Sequence, residues 1–228
     1  MIKREDSSGF CYHWVKANVQ LSTQELRYEE AFQTLLKILT SLELKSGQFL
    51  NLLNGHSCIC FTETPVTFII SDRSKYQPFG LGFFKSDIHK LGGQPVLNLS
   101  QDDYNFLPHH IRWRYARHEP LLRDENHPYG IDFSWEREIR VNSNIISLMG
   151  ESLITTHSSI DNVDFAFSNV FVPNNRYVAK LLSALHLNWS HKFSEFIKEK
   201  PQDAYWYRCF LDSLMDEFEE KTLSLNMD

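Results

Sequence analysis

The chain has 228 residues and a formal net charge of -6. Hydrophobic residues make up 42% of it and aromatic residues 14%, so it can bury a substantial core, and this is not the composition of an intrinsically disordered chain. The acidic balance also excludes a global basic field for nucleic acid, so any such contact has to be local.

The first predicted elements are a short strand and an amphipathic helix. Residues 10 to 15 (FCYHWV) have the apolar character of a strand, with the polar His13 inside it. The segment STQE that follows, residues 22 to 25, matches a capping box, which predicts the start of a helix. Apolar residues then recur every three or four positions, and they define the buried stripe of that helix: Ala31, Leu35, Ile38, Leu39 and Leu42.

Several short strands are predicted in the middle of the chain. VTFII, residues 66 to 70, fits either a strand or the first turn of a helix. Gly92 and Gly93 indicate a turn. The predicted strands cover residues 58 to 63 (CICFTE), 78 to 84 (PFGLGFF), 95 to 99 (PVLNL), 131 to 141 and 165 to 172 (FAFSNVFV).

The end of the chain is patterned as two helices. They cover residues 175 to 198 and 203 to 221, and Pro201 separates them. An order of helix, strands and helices predicts an α+β fold with a twisted, mostly antiparallel or mixed sheet. We therefore expect a core domain over residues 1 to 174, with a C-terminal helical pair, residues 175 to 228, packed on it.

The four cysteines bear on compartment and on metal binding. No apolar run approaches the ~20 residues of a membrane span and the first residues do not resemble a signal peptide, so we expect a cytoplasmic protein with reduced thiols.

His56, Cys58 and Cys60 alternate and would share a strand face. Neighbours on one face are ~7 Å apart, which favours core packing of these residues over a zinc site.

The predicted strand over residues 131 to 141 carries four charges in five positions. In a strand, Glu136, Glu138 and Arg140 share one face, and Arg137 interrupts the apolar face. One interpretation is a solvated sheet face whose ion pairs contribute ~0–1 kcal/mol each. The other is a pair of carboxylates beside a cleft, where one contacts a ribose hydroxyl and the other orients a nucleophile.

A basic segment lies at residues 109 to 123. Arg112, Arg114 and Arg117 alternate there with Trp113 and Tyr115. Such a pattern can bind phosphates, including the pyrophosphate of a dinucleotide, and stack on bases of a nucleic acid. The alternative is that these arginines pair with the acidic remainder of the chain.

Five motifs in order resemble the AbiGi-like group of bacterial abortive-infection proteins. The motifs are YHW near the start of the chain, then CFTETP, YQPFGLGFFK, GGQPVLNL and SWEREIRV. The resemblance runs from about Tyr12 to Val141, and Ile139 stands where the group has Trp. It implies a role in defence against phage, without specifying a reaction.

A second, weaker resemblance is to ADP-ribosyltransferases, including DNA-modifying toxins of the DarT type. It rests on a histidine in the first strand, a Phe-Thr box in a middle strand and an E-x-E motif in a late strand. It implies NAD as a substrate and a nucleic acid or a protein as acceptor. The implied roles are the nicotinamide-ribose contact for Glu138, the acceptor side for Glu136, NAD binding for His13, the nicotinamide pocket for Thr62, and ring stacking for Tyr76 or Phe79. Arg140 lies beside the two glutamates in the sequence, and we expect it to be either their ion-pair partner or a contact to a phosphate of NAD.

Two other functions remain open at this point. A non-enzymatic sensor or toxin partner in a defence system would expose an apolar patch on the terminal helices, with residues such as Trp206 and Phe210. A nuclease would use Glu136 and Glu138 with a divalent metal, but an E-x-K lysine and an upstream Asp are not evident. Assembly of the chain into a homo-oligomer is also left open.

Overall fold

The computed structural model describes residues 9–16, 18, 20–47, 56–71, 76–125, 127–128, 130–149 and 165–227. The chain divides into two compact units. Unit 1 contains Met1–His13, Leu44–Val66 and Phe83–Ile146, and unit 2 contains Trp14–Glu43, Thr67–Gly82 and Ser147–Asp228. The predicted boundary at residue 174 differs from this division, because the C-terminal helices share a unit with two earlier parts of the chain.

The strands and helices are short in the middle of the chain and long at its end. The strands are β1 (Phe10–Trp14), β2 (Glu43–Lys45), β3 (Ile59–Thr62), β4 (Gly80–Phe84), β5 (Gln94–Pro95), β6 (Leu97–Leu99), β7 (Tyr115–Arg117), β8 (Glu138–Val141), β9 (Ile145–Ser147), β10 (Asn169–Val172) and β11 (Thr222–Ser224). The α-helices are α1 (Gln24–Ser41), α2 (Val66–Ser71), α3 (Lys85–Lys90), α4 (Gln101–Tyr104), α5 (Asn175–Glu199) and α6 (Ala204–Lys221). Short 3-10 helices cover His109–Arg114, Ser134–Glu136 and Pro201–Asp203.

Unit 1 is built on strands in the order β1-β3-β8-β5. Each neighbouring pair in that order is antiparallel. β6 and β7 form a separate parallel pair. The inner strands β3 and β8 are apolar at alternate positions, and Phe61 and Ile139, which pair across them, are both 1% exposed.

Unit 2 combines strands in the order β11-β10-β4 with the long helices. β10 is antiparallel to β4 and parallel to β11. The connection from β10 to β11 consists of α5 and α6, and Asn174 caps α5 by accepting a hydrogen bond from the Tyr177 N–H. An aromatic cluster in this unit places the Phe79 ring edge-on to the rings of Tyr28 and Tyr177, at 5.6 and 5.1 Å.

Helix α1 begins one residue later than its sequence signal. The N-cap is Thr23, whose hydroxyl accepts from the Leu26 N–H at 3.3 Å, rather than Ser22. Of the predicted stripe, Ala31, Leu35 and Leu39 are buried on α1 and Leu42 is buried just after it, while Ile38 is half-buried. The helix ends at Leu42, which adopts a left-handed conformation with φ 54°.

The predicted fold class is confirmed at the level of a mixed α/β protein with a mostly antiparallel or mixed sheet and C-terminal helices. The prediction of one strand over residues 131 to 141 is wrong. Ser134–Glu136 is a 3-10 helix, Arg137 has φ 45°, and β8 begins only at Glu138. Among the described residues, no helix has the length and apolarity that a membrane crossing requires.

Candidate functional site

The first, middle and late motif strands are neighbours in unit 1. β3 lies between β1 and β8, Tyr12 pairs with Thr62, and Thr62 pairs with Glu138. Paired residues on neighbouring strands project from the same face of a sheet. Tyr12, Thr62 and Glu138 therefore form one row on one face, and Arg140, two residues after Glu138, lies on that face too.

Glu138 and Arg140 form a bidentate ion pair on this face. Arg140 Nε donates to Glu138 Oε1 at 2.9 Å, and its Nη2 donates to Oε2 at 3.2 Å. The two side chains are 16% and 8% exposed. Burial alone would lower the pKa of Arg140, but the charge and hydrogen bonds of Glu138 hold that pKa above its ordinary value. The solvated face proposed as one interpretation of the sequence does not describe this pair.

Arg140 also connects β8 to the segment that precedes and begins β7. Its Nη1 donates to the backbone carbonyls of Trp113 and Tyr115, at 3.0 and 2.7 Å. One guanidinium therefore satisfies a carboxylate and two buried carbonyls. Because both groups of acceptors depend on the same side chain, Arg140 fixes the position of the Glu138 carboxylate relative to residues 113 to 115.

Two buried threonines hold the 3-10 helix that leads into β8. The Thr62 hydroxyl donates to the carbonyl of Glu136, and the Thr64 hydroxyl donates to the carbonyl of Trp135 at 2.9 Å. Thr62 and Thr64 are 5% and 4% exposed. In the sequence, the two alternating threonines of CFTETP indicate that both side chains lie on one strand face. Their partners, backbone carbonyls about 70 residues away, cannot be read from the residue types.

Glu136 does not share the strand face with Glu138. It ends the 3-10 helix and is 3% exposed, and Arg137 between the two glutamates is left-handed. The strand alternation that would align residues i and i+2 therefore does not apply across Arg137. The predicted E-x-E pair on one strand face is wrong for this reason.

His13 projects from the opposite face of the sheet. Because Tyr12 pairs with Thr62, the next residue His13 lies opposite Phe61, and their rings are 5.9 Å apart. Its Nδ1 lies 2.9 Å from the carbonyl oxygen of Cys60. The backbones of β1 and β8 are about 10 Å apart, two strand spacings. The structure therefore does not bring His13 to the face that carries Glu138.

Tyr76 and Phe79 lie in unit 2 and are packed there. Phe79 is 0% exposed within the aromatic cluster described above, and Tyr76 is 9% exposed, with Lys16 Nζ 5.5 Å from its ring centre. Packing contacts therefore already surround both rings that were predicted to stack on nicotinamide.

The predicted basic patch is held by contacts within unit 1. Arg112 Nε donates to the Leu107 carbonyl and Arg114 Nε to the Pro95 carbonyl, each at 2.9 Å. Arg117 forms an ion pair with Glu119 at 2.5 Å. The alternative interpretation, in which these arginines pair with acidic residues of the chain, holds for Arg117. For Arg112 and Arg114 the partners are carbonyls rather than acids.

The histidine and thiols near β3 have separate environments. Burial raises the pKa of the Cys58 thiol, and its Sγ lies 3.8 Å from the Trp113 carbonyl oxygen. Burial lowers the pKa of His56, whose ring centre is 5.3 Å from that of His109. Within the described ranges, no group of three or more His, Cys, Asp or Glu side chains could hold a metal ion.

A second polar group lies on the face of β1 and β3 that is opposite to the face carrying Glu138. Lys85 Nζ lies 2.7 Å from Glu63 Oε1, with side-chain exposures of 34% and 16%. Burial, reinforced by the charge of Glu63, raises the pKa of the Cys11 thiol to about 12. In the sequence, this group is indicated only by a lysine directly after a predicted strand.

The terminal helices do not expose Phe210. Its ring stacks on that of Trp206 with centres 5.3 Å apart, and its side chain is 7% exposed. Tyr205 in the same helix is 81% exposed. The patch expected for a non-enzymatic partner module is therefore absent at Phe210.

Comparison with known proteins adds no relative. No protein family matches the chain, and no significant match occurs among the curated proteins or the solved structures.

Proposed function

We propose that the chain is an ADP-ribosyltransferase-like enzyme of bacterial phage defence, which takes NAD as substrate and transfers ADP-ribose to a nucleic acid or a protein. The observation that carries this proposal is the row of Tyr12, Thr62 and Glu138 across β1, β3 and β8. The resemblance implies contributions from a first, a middle and a late strand, and these three strands are neighbours.

Glu138 is the carboxylate that we assign to the nicotinamide ribose. Arg140 donates to both carboxylate oxygens of Glu138, and the Glu138 side chain is still 16% exposed. A ribose hydroxyl can therefore approach the carboxylate from the exposed side. The guanidinium holds the carboxylate in one orientation, which is the preorganisation that favours stabilisation of a developing positive charge.

The reaction transfers the ADP-ribose group from NAD to an atom of the acceptor. The bond between the anomeric carbon and the nicotinamide nitrogen breaks, and its electron pair leaves with nicotinamide. A nucleophilic atom of the acceptor forms the new bond to the anomeric carbon and releases its proton to the solvent. Glu138 stabilises the oxocarbenium-like ribose between these two events.

The proposed site contains fewer residues than the resemblance implies. It keeps Thr62, Glu138 and Arg140, which lie on one face. His13 and Glu136 have no role in it, because the first faces away from Glu138 and the second is buried before β8.

The direct test measures NAD consumption and label transfer from NAD to DNA, RNA and protein. Wild type is compared with Glu138→Gln, which keeps the shape of the side chain and removes its charge. We expect a loss of at least 100-fold in the rate of nicotinamide release, in the range ascribed to a lost transition-state electrostatic contact.

The matched control is Glu63→Gln, because Glu63 has the same side-chain exposure of 16% and also forms an ion pair. We expect this variant to keep its activity. Equal activity of Glu138→Gln and wild type would sink the site assignment, and absence of NAD consumption by wild type with all three acceptors would sink the function.

A further inference from the structure

A groove between α1 and α5 in unit 2 lies outside the site described above. Its volume is about 360 Å³, which falls within the range of small-molecule sites. Helices α1 and α5 pack against each other, and the groove has one of them on either side. The polar side chains that line it are Gln33, Lys37, Thr40, Ser41, Asn188 and Lys192.

The groove has a positive charge in an acidic chain. Two of its lining residues, Lys37 and Lys192, are lysines, and none of the lining residues within the described part of the chain is acidic. The chain as a whole has a net charge of -6. Two ammonium groups with no carboxylate among the described lining residues make the electrostatic potential of the groove positive, and this favours an anionic ligand.

Lys192 is held in place before any ligand arrives. Its Nζ donates to the carbonyl of Thr40 at 2.5 Å and lies 4.4 Å from the ring centre of Trp189. An ammonium has three N–H donors, and the carbonyl uses one of them. Burial lowers the pKa of Lys192, and an anion nearby would favour its charged form again.

Thr40 supplies a second observation that points to a ligand. Its hydroxyl oxygen is buried and has no hydrogen-bond partner within the described part of the chain. A buried hydroxyl without a partner is costly, by about 1–3 kcal/mol, and rotation of the Thr40 side chain toward the groove would give it a ligand oxygen as partner. The amides of Gln33 and Asn188 can both donate and accept.

We propose that this groove binds the phosphate group of a small molecule, with Lys37 and Lys192 as the cationic contacts and Thr40 as a hydroxyl donor. Phosphate fits because it presents several acceptor oxygens and no donor when fully ionised, which matches two ammonium groups and a hydroxyl. This inference is independent of the proposed reaction at Glu138.

The test titrates the full chain by calorimetry at low salt with inorganic phosphate, pyrophosphate and adenosine monophosphate as separate probes. Tricarballylate, a carboxylate anion, tests whether the site takes anions in general. We expect millimolar or tighter binding of a phosphate probe and no binding of tricarballylate. Tighter binding of adenosine monophosphate than of inorganic phosphate assigns the site to a phosphate ester, and the reverse order assigns it to free phosphate.

Variants then locate the binding. Lys37→Gln and Lys192→Gln should each weaken it roughly tenfold, the cost of one charge-assisted contact. Lys180→Gln is the control, since Lys180 is on α5 but pairs with Glu29 at 2.6 Å and does not line the groove. The proposal would be overturned if no phosphate probe bound at millimolar concentration, or if tricarballylate bound as tightly as phosphate. It would also be overturned if Lys180→Gln weakened phosphate binding as much as the two groove variants do.

Discussion

Glu138 binds Arg140 with both carboxylate oxygens, although the two residues are only two positions apart on the same short strand. The contacts are 2.9 and 3.2 Å long. Arg140 uses its remaining amino group for the carbonyls of Trp113 and Tyr115. The pair is therefore part of the core of unit 1, and its guanidinium has a structural task whether or not the carboxylate takes part in a reaction.

Replacement of Arg140 should destabilise unit 1 strongly. Arg140→Met removes the guanidinium that donates to the Glu138 carboxylate and to two carbonyls, and breaking a buried pair costs about 3–5 kcal/mol. The measurement is the free energy of unfolding in urea. Arg117→Met is the matched control, because its pair with Glu119 has a 42% exposed arginine, and we expect a change within about 1 kcal/mol. Equal losses in the two variants would contradict the buried role of Arg140.

The two threonine hydroxyls should each contribute to the start of β8. Thr62→Val and Thr64→Val keep the side-chain shape but remove the hydroxyls that donate to the carbonyls of Glu136 and Trp135, at a cost of about 1–3 kcal/mol each. Urea unfolding measures this cost. Thr34→Val serves for comparison, since the Thr34 hydroxyl donates to the Glu30 carbonyl on an exposed helix face, and its effect should stay within about 0.5 kcal/mol.

Two glycines with similar backbone angles should differ sharply in their tolerance of a methyl group. Gly92 has φ 85° and open space around a built Cβ, whereas at Gly130, with φ 87°, that Cβ would overlap the backbone carbonyl of Pro120. We expect Gly92→Ala to cost about 1 kcal/mol from the left-handed conformation alone. Gly130→Ala should cost more than about 2 kcal/mol, measured by thermal unfolding. Equal costs would contradict this prediction, because they would show that the backbone at Pro120 moves away from the added methyl group.

The Cys11 thiol should make stability fall at alkaline pH. Its pKa is raised from 9.0 to about 12 in the folded chain, so the unfolded chain loses this proton first as the pH rises. The stabilisation by the neutral thiol is therefore fully present below about pH 9 and is lost as the pH approaches 12. The difference in unfolding free energy between wild type and Cys11→Ala, followed by urea titration across this range, isolates the thiol from other groups. A constant difference would contradict the raised pKa.

The helices could be predicted from the regular spacing of their apolar residues. The candidate site could not, because it depends on local backbone geometry that residue types do not reveal. The apolar stripes of α1, α5 and α6 follow from a spacing that one helical segment preserves from end to end. The alternation assumed for residues 131 to 141 fails at Arg137, because a single left-handed residue changes which side chains share a face. Arg-rich segments are equally ambiguous in sequence, since a carbonyl partner such as that of Leu107 leaves no trace in the residue types.

The parallel pairing of β10 with β11 has a consequence for synthesis on the ribosome. Val170 pairs with Thr222, and the whole of α5 and α6 lies between them. During translation β10 is made about 50 residues before its partner, so one edge of it stays open until both helices have been made. For that interval the nascent chain presents one unpaired edge of an apolar strand to its surroundings, which is the kind of segment that chaperones shield.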